Sequence, residues 1–222
     1  MRYAIYYAPE RDDPLWAAGC AWLGRDPESG EVFRPPPEAA GLIDHPARYG
    51  LHATLKPPFA LADGADEAAL DRVLANFAAA RAIEPMPALA VRPLHGFLAI
   101  RPEGNADALR RLADSCVEAF DAFRRPASSS EHAMRRASGL TPAQDAHLAR
   151  WGYPYVFDEY RFHMTLTARL DEPARDRLED LLTARFAAAL AAPRRLSSIA
   201  LFVEPEGGKP FTLRRRYAFA DR

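Results

Sequence analysis

The sequence predicts an α+β fold in which two similar halves meet at one cleft. A five-residue pattern occurs twice, over residues 51–55 as Leu-His-Ala-Thr-Leu and over residues 162–166 as Phe-His-Met-Thr-Leu. In each half, this motif precedes an amphipathic helix and two further extended runs. Self-similarity of this kind indicates duplication and a pseudo-two-fold arrangement of the halves.

Each motif predicts a strand that presents one imidazole and one hydroxyl on a single face. Successive side chains of a β-strand lie on opposite faces, so His52 and Thr54 share one face, and His163 and Thr165 do likewise. The apolar motif residues take the other face and are expected in the core. Pseudo-symmetry would bring the two polar faces to one cleft.

The first half contains the expected order of local signals. Residues 3–8 alternate like a strand, and residues 14–23 predict a helix with Asp13 as N-cap. The segment 24–50 is rich in Pro and Gly and is expected as loop. Pro57 and Pro58 then end the first motif strand, because proline cannot donate to a β-ladder.

The rest of this half is predicted as helix, hairpin and helix. Apolar residues at helical spacing indicate helices over 66–81 and 106–123, the second with Asn105 as N-cap. Between them, residues 88–95 and 97–101 predict a hairpin.

The second half repeats the pattern of the first. A strand is expected over 160–167, a helix over 172–190, and two strands over 197–204 and 211–219. We therefore expect residues 1–222 to form a single domain of two halves, about 1–123 and 156–222.

An insertion at about 124–155 separates the halves and has no counterpart in the first half. Residues 127–130 are expected to be flexible, and Thr141 with Gln144 forms a capping-box pattern that opens a helix through about residue 150. Aromatic residues crowd the segment before the second motif. They predict either a lid or pocket wall, or an insertion packed without a role in chemistry.

Composition limits the partners of the chain. The net charge is −1, and positive and negative residues are interspersed. This charge pattern disfavours non-specific binding to long nucleic acids or to an anionic membrane. Cys20 and Cys116 lack metal-type spacing and are expected as thiols in a reducing compartment. No stretch of about 18 apolar residues occurs. We expect a cytoplasmic protein with no membrane partner, and no obligate protein partner is inferred.

Two histidines and two threonines facing one cleft suit chemistry on a phosphate. One imidazole can accept a proton while the other donates one, and threonine hydroxyls can bind phosphate oxygens. Lys56 and Arg161 flank the motif strands and are the further candidate phosphate ligands. No metal or other cofactor is required by this scheme.

The paired motifs, His52-Ala-Thr54-Leu55 and His163-Met-Thr165-Leu166, resemble those of the 2H phosphoesterase superfamily. The run from His52 to Phe59 is similar to the branch called DUF1045, the phosphonate metabolism proteins. The resemblance implies two lobes of antiparallel sheet around a central cleft with helices outside, as in LigT-like enzymes. It also implies that the two histidines are catalytic and the two threonines bind phosphate.

The resemblance implies a metal-independent phosphodiesterase that hydrolyses a small cyclic phosphate by two-histidine acid–base catalysis. A ribosyl cyclic phosphate of phosphonate metabolism is the first expectation for the substrate. The alternative is an RNA 2′,3′-cyclic phosphodiesterase that acts on RNA ends, as in LigT-like RNA-end processing.

Two alternative functions of other kinds stay open. The chain could bind a nucleotide or phosphate without turning it over. It could also be a metallohydrolase that uses His52, His95 and His163 with Glu204, although these residues lack the ligand spacing typical of zinc sites.

Overall fold

The computed structural model describes residues 1–221 and is built on an antiparallel sheet of four strands. These strands are β1 (Arg2–Tyr7), β2 (Ala53–Phe59), β8 (Ser198–Glu204) and β9 (Thr212–Ala218). Their order across the sheet is β2-β1-β8-β9. The sheet thus joins two strands from the beginning of the chain to two from its end, and the first motif strand lies at its edge.

A second antiparallel sheet contains the other motif strand. It consists of β4 (Leu89–Leu94), β5 (Phe97–Pro102) and β6 (Met164–Thr165) in that order. β4 and β5 form a hairpin whose two turn residues, His95 and Gly96, both have positive φ, as tight hairpin turns require. A small ribbon pairs β3 (Glu84–Pro85) with β7 (Arg195–Leu196).

Seven α-helices occur among the described residues. They are α1 (Pro14–Leu23), α2 (Asp44–Ala47), α3 (Glu67–Ala79), α4 (Asp107–Ala119), α5 (Ser129–Arg136), α6 (Pro142–Trp151) and α7 (Glu172–Leu190). α4 packs on β2 and α3 on β9, so both lie against the larger sheet. α7 packs on β4 and β5 of the smaller sheet and also contacts α1.

Local signals explain where the main helices begin. Asp13, Asp66 and Asp171 each accept a hydrogen bond from a backbone N–H in the first turn of α1, α3 and α7, respectively. These bonds satisfy donors that a helix start leaves without a partner. The predicted α+β class with antiparallel sheets is confirmed.

The hydrophobic core lies between the sheets and their helices. Buried side chains from both sheets form one cluster with those of α3, α4 and α7, including Leu55, Ile100, Leu112 and Leu182. The Trp22 indole on α1 donates to the backbone carbonyl of Leu166 at 2.8 Å and so fixes the end of the second motif. The apolar motif residues lie in this core, as the alternation predicts.

Several predicted elements differ from the structure, and the segment 24–50, expected as loop, contains the short helix α2. β2 continues through Pro57 and Pro58 to Phe59, because it is an edge strand and the two prolines lie where its pairing with β1 is irregular. β6 covers two residues where a strand over 160–167 is expected. The expected flexible segment 127–130 instead starts α5.

The start of α5 is fixed by a capping box. The Ser128 hydroxyl accepts from the backbone N–H of Glu131, whose carboxylate accepts from the Ser128 N–H. The insertion therefore holds two capped helices, since the predicted Thr141–Gln144 box is also present in α6.

No helix within residues 1–221 has the length and apolar character needed to cross a lipid bilayer.

Candidate functional site

His52 lies directly before β2, with its ring orientation fixed by the backbone. Its Nδ1 lies 2.9 Å from the carbonyl oxygen of Gly50 and its Nε2 lies 3.4 Å from the Thr54 hydroxyl. A carbonyl oxygen only accepts hydrogen bonds, so Nδ1 carries the proton and the neutral ring keeps its lone pair on Nε2. Gly50 is required here, because its φ is 76° and a Cβ would lie 2.6 Å from Pro27.

Aromatic rings enclose His52. The Tyr6 ring lies 4.0 Å away at an angle of 30°, and the rings of Tyr49 and Phe202 lie at 5.6 and 6.4 Å. Burial is the main cause that lowers the pKa of His52 to about 4, and positive charge on His163 contributes to this fall. His52 is therefore a neutral imidazole at pH 7.

His163 precedes β6 in the same local arrangement. Its Nδ1 lies 2.7 Å from the carbonyl oxygen of Arg161, two residues earlier, which again places the lone pair on Nε2. Burial lowers the pKa of His163, and the nearby charge of Arg101 acts in the same direction. The ring also lies 5.7 Å from that of Phe97 on β5.

A pocket of about 450 Å³ opens beside His163. Its polar lining comes from both sheets and from the insertion, and consists of Thr54, His95, Gln144, Glu159, Arg161, His163 and Arg169. Its aromatic lining consists of Phe97, Tyr153, Tyr155 and Tyr160. The volume is in the range of small-molecule sites.

The two predicted threonines take different positions around this pocket. Thr54 lines it, and its hydroxyl lies 3.4 Å from the Nε2 of His52. Thr165 lies opposite Ala99 in the β5–β6 pair and is half-buried. The structure therefore brings His52, Thr54 and His163 close together, whereas Thr165, two residues after His163, does not line the pocket.

The predicted phosphate ligand Lys56 lies outside the pocket because β2 is irregular. Tyr6 of β1 faces Thr54, but the next residue, Ile5, faces Lys56. One residue of β2 is therefore extra at Leu55, and a bulge of this kind reverses the alternation of side chains. Lys56 consequently leaves the face that Thr54 occupies.

The Lys56 side chain is instead buried against α4. It is 1% exposed, and its ammonium donates to the Val117 carbonyl at 3.0 Å and to the Asp121 carboxylate at 3.4 Å. Burial lowers the pKa of Lys56 to about 8, and the charge of Asp121 opposes this fall. The structure gives this lysine a place in the core and none in the site.

Arg161 does line the pocket, together with Arg169. Arg161 is exposed, and its Nη1 donates to the backbone carbonyls of Asp158 and Tyr160 at 2.7 and 2.8 Å. Two bonds to neighbouring carbonyls hold the guanidinium in place and leave further N–H groups for a ligand.

The aromatic residues of the insertion divide into two groups. Tyr153 and Tyr155 line the pocket, so the prediction of a pocket wall describes them correctly. Trp151 packs on Phe157, which follows the insertion, with ring centroids 5.2 Å apart.

Sequence reasoning missed Glu159 as a pocket residue and Arg101 as a neighbour of His163. Glu159 ends a 3₁₀ turn, Phe157–Glu159, and nothing in its local sequence marks it. Arg101 follows Ala99 and Ile100, which pair with Thr165 and Met164. Only this long-range pairing brings it near His163.

The proposed metal ligands do not gather around an ion-binding site. Glu204 is buried and bound by Arg2 and Arg48, and although burial alone would raise its pKa, these two arginines lower it to about 2. Within residues 1–221, no group of three or more His, Cys, Asp or Glu side chains is arranged to hold a metal ion.

Residues 54–212 match the profile of a family described as "Protein of unknown function (DUF1045)". The chain belongs to the DUF1045 family. Two curated relatives, from Janthinobacterium sp. (strain Marseille) and Laribacter hongkongensis (strain HLHK9), are 40% and 42% identical to it. The alignments cover 99% and 97% of this DUF1045 chain and 51% of each relative.

Both relatives are named "Ribose 1,5-bisphosphate phosphokinase PhnN". A phosphokinase is a transferase, so this name contradicts the predicted hydrolase. The prediction of a cyclic phosphodiesterase is therefore wrong for this DUF1045 protein, for a ribosyl cyclic phosphate and for RNA ends alike. The chain spans about half the length of the relatives that it matches.

Proposed function

We propose that this chain binds a phosphorylated ribose in the pocket beside His163 and serves phosphonate metabolism, as the resemblance of its first motif implies. The observation that carries this proposal is the convergence of two arginines, one histidine and one threonine on a single pocket, as phosphate ligands. The choice of ribose comes from the name of the relatives, which gives ribose 1,5-bisphosphate as their substrate.

The polar lining suits a phosphate group. Arg161 and Arg169 supply guanidinium N–H groups, which match the oxygen geometry of phosphate. Thr54 adds a hydroxyl donor from the larger sheet. His163 is neutral at pH 7 with its lone pair on Nε2, so it can accept a proton from a ligand hydroxyl or phosphate.

The remaining lining suits the sugar. The pocket is larger than an inorganic phosphate needs, and its aromatic walls can pack on a ribose ring or on an attached group. A sugar phosphate would therefore bury more surface here than phosphate alone.

The proposed role of the pocket residues is to bind the sugar phosphate. Transfer of a phosphoryl group from a nucleotide is not part of this role. P-loop kinases hold the ATP phosphates with a glycine-rich loop that ends in Gly-Lys-Ser or Gly-Lys-Thr. The sequence contains two lysines, and Lys56 follows Leu55 while Lys209 precedes Pro210. Incubating the purified chain with ATP and ribose 1,5-bisphosphate tests whether the chain only binds the sugar phosphate. Phosphoryl transfer catalysed by the chain alone would refute this proposal.

We also propose that residues 1–123 and 156–222 are duplicated halves within one domain, in a two-lobed arrangement similar to that of 2H phosphoesterases. Three features support this. Each half has the order strand, helix and hairpin, each sheet takes strands from both halves, and each motif histidine is bound through Nδ1 to the carbonyl two residues earlier.

Titration calorimetry with ribose 5-phosphate, ribose 1,5-bisphosphate and inorganic phosphate tests the binding proposal. Arg161→Ala and Arg169→Ala should each weaken sugar phosphate binding about tenfold, because each removes a charge-assisted hydrogen bond. Arg177→Ala is the matched control, since Arg177 is exposed on α7 and lies outside the pocket. Equal affinities for all three variants and the wild type would contradict the proposal.

A further inference from the structure

Phosphate binding alone does not explain why Glu159, a carboxylate, lines the pocket. Among the lining residues of the described chain it is the one carboxylate, and it shares the pocket with Arg161 and Arg169. A carboxylate repels a phosphate, and it has no donor to offer one. Its presence indicates a second recognition task, directed at a ligand group that donates hydrogen bonds.

The insertion holds the Glu159 side chain in a defined position. The Gln144 side-chain oxygen accepts from the Thr141 N–H at 3.1 Å in the capping box of α6, so its Nε2 faces away from that backbone. This Nε2 donates to the Glu159 Oε2 at 2.8 Å. A carboxylate offers about four lone-pair sites, so acceptor capacity remains after this bond.

The backbone before Glu159 is strained, which independently marks this turn. Phe157 has a φ of 55°, in the left-handed region that aromatic residues rarely adopt. Its ring packs 5.2 Å from that of Trp151 and 5.6 Å from that of His147, and these contacts hold the conformation. Strain of this kind is concentrated at functional sites.

We propose that Glu159 is a specificity-determining residue that accepts hydrogen bonds from the hydroxyl groups of the bound ribose, so that the pocket prefers ribose phosphates to 2-deoxyribose phosphates. This inference rests on the proposed function, because it assigns the sugar end of the same ligand. Carboxylates commonly recognise ribose hydroxyls, since a charged acceptor forms a strong bond with a neutral O–H donor.

The competing explanation is that Glu159 serves only to anchor α6 through Gln144. That explanation predicts altered stability in Glu159 variants and no change in the preference between the two sugars. The two explanations therefore differ in a ratio of affinities, which a general loss of folding would not change.

The experiment measures dissociation constants for ribose 5-phosphate, 2-deoxyribose 5-phosphate and inorganic phosphate by titration calorimetry. The proteins are the wild type, Glu159→Gln, Gln144→Met and the control Glu206→Gln, which changes an exposed glutamate outside the pocket. Thermal unfolding of each variant establishes that it is folded.

We expect the wild type and the Glu206 variant to prefer ribose 5-phosphate by at least about tenfold, the value of one hydrogen bond to a charged group. In Glu159→Gln the preference should fall below about threefold, while phosphate affinity is kept or increased because a negative charge is removed. Gln144→Met keeps the Glu159 carboxylate but removes the hydrogen bond that holds it in position. Its preference for ribose 5-phosphate should therefore lie between those of the wild type and Glu159→Gln.

The outcomes separate the two proposals. A wild type that binds both sugar phosphates equally, or a Glu159→Gln variant that keeps the full preference, overturns the role of Glu159 and leaves the proposed function in place. A wild type that binds neither sugar phosphate overturns the proposed function and this inference with it.

Discussion

Replacing Lys56 by Met should stabilise the protein at pH 7. The ammonium is buried, and its pKa falls from 10.5 in the unfolded chain to about 8 in the folded one. One unit of pKa corresponds to about 1.4 kcal/mol, so the charged form costs the folded state about 3 kcal/mol. Met fills a similar volume without this cost.

The neighbours of Lys56 limit the loss that accompanies this gain. Arg124 still binds the Asp121 carboxylate at 2.8 Å, so that charge keeps a partner. The Val117 carbonyl loses a donor, which costs about 1 kcal/mol. The expected net gain for Lys56→Met is therefore about 2 kcal/mol, in line with other replacements of buried ions by apolar residues.

The effect must depend on pH with a defined sign. Between pH 8 and 10.5 the unfolded chain binds the Lys56 proton and the folded chain does not, so wild-type stability rises with pH in this window. Below pH 8 that stabilisation is lost. The advantage of Lys56→Met should consequently be largest at pH 7 and disappear as the pH approaches 10.

Urea unfolding of wild type, Lys56→Met and Lys209→Met at several pH values between 7 and 10 measures this. Lys209 is the other lysine of the chain and is exposed, so its replacement is the matched control. Ribose 5-phosphate binding should be unchanged in both variants. A Lys56→Met protein that is less stable by several kcal/mol at pH 7, or binds ten times more weakly, would refute the burial argument.

Two further perturbations test the surroundings of the first motif. Gly19→Ala should destabilise the protein by about 1–3 kcal/mol in urea unfolding, because the new Cβ would lie 2.4 Å from the Leu51 side chain. The control Gly207→Ala should change stability little, because the space around Gly207 is open. Wild-type stability should fall by up to about 3 kcal/mol as the pH drops from 6.5 to 4, since burial lowers the pKa of His52 to about 4 and the unfolded chain binds the proton first. His52→Gln should lose this dependence and His45→Gln, at an exposed residue, should keep it; an identical acid response in both variants would be inconsistent with a buried neutral His52.

The elements that the sequence predicts well are those with local physical causes. The helix over 14–23 begins at Asp13 because that side chain caps it, and the helix over 172–190 has both its cap and its apolar spacing within a single segment. The hairpin around Gly96 needs only two turn residues with positive φ. Each of these signals acts over a few residues, so no tertiary contact is needed to find them.

The elements that the sequence does not predict depend on contacts between distant segments. The bulge that moves Lys56 out of the site exists only in the pairing of β2 with β1. Arg101 reaches His163 only because β5 pairs with β6, and Glu159 reaches the pocket through the fold of the insertion. The alternation rule assumes a regular strand, and it fails at the first irregularity.

The two motif histidines show how local and long-range effects divide the properties of the site. The motif and the residues just before it fix the tautomer, because both rings donate through Nδ1 to the carbonyl two residues earlier. Their surroundings differ, since His52 is enclosed by aromatic rings while His163 lies in the pocket with two arginines. An anion should therefore bind on the His163 side, where two arginines line the pocket. A repeated sequence motif can thus place two identical groups while the rest of the fold gives them unequal tasks.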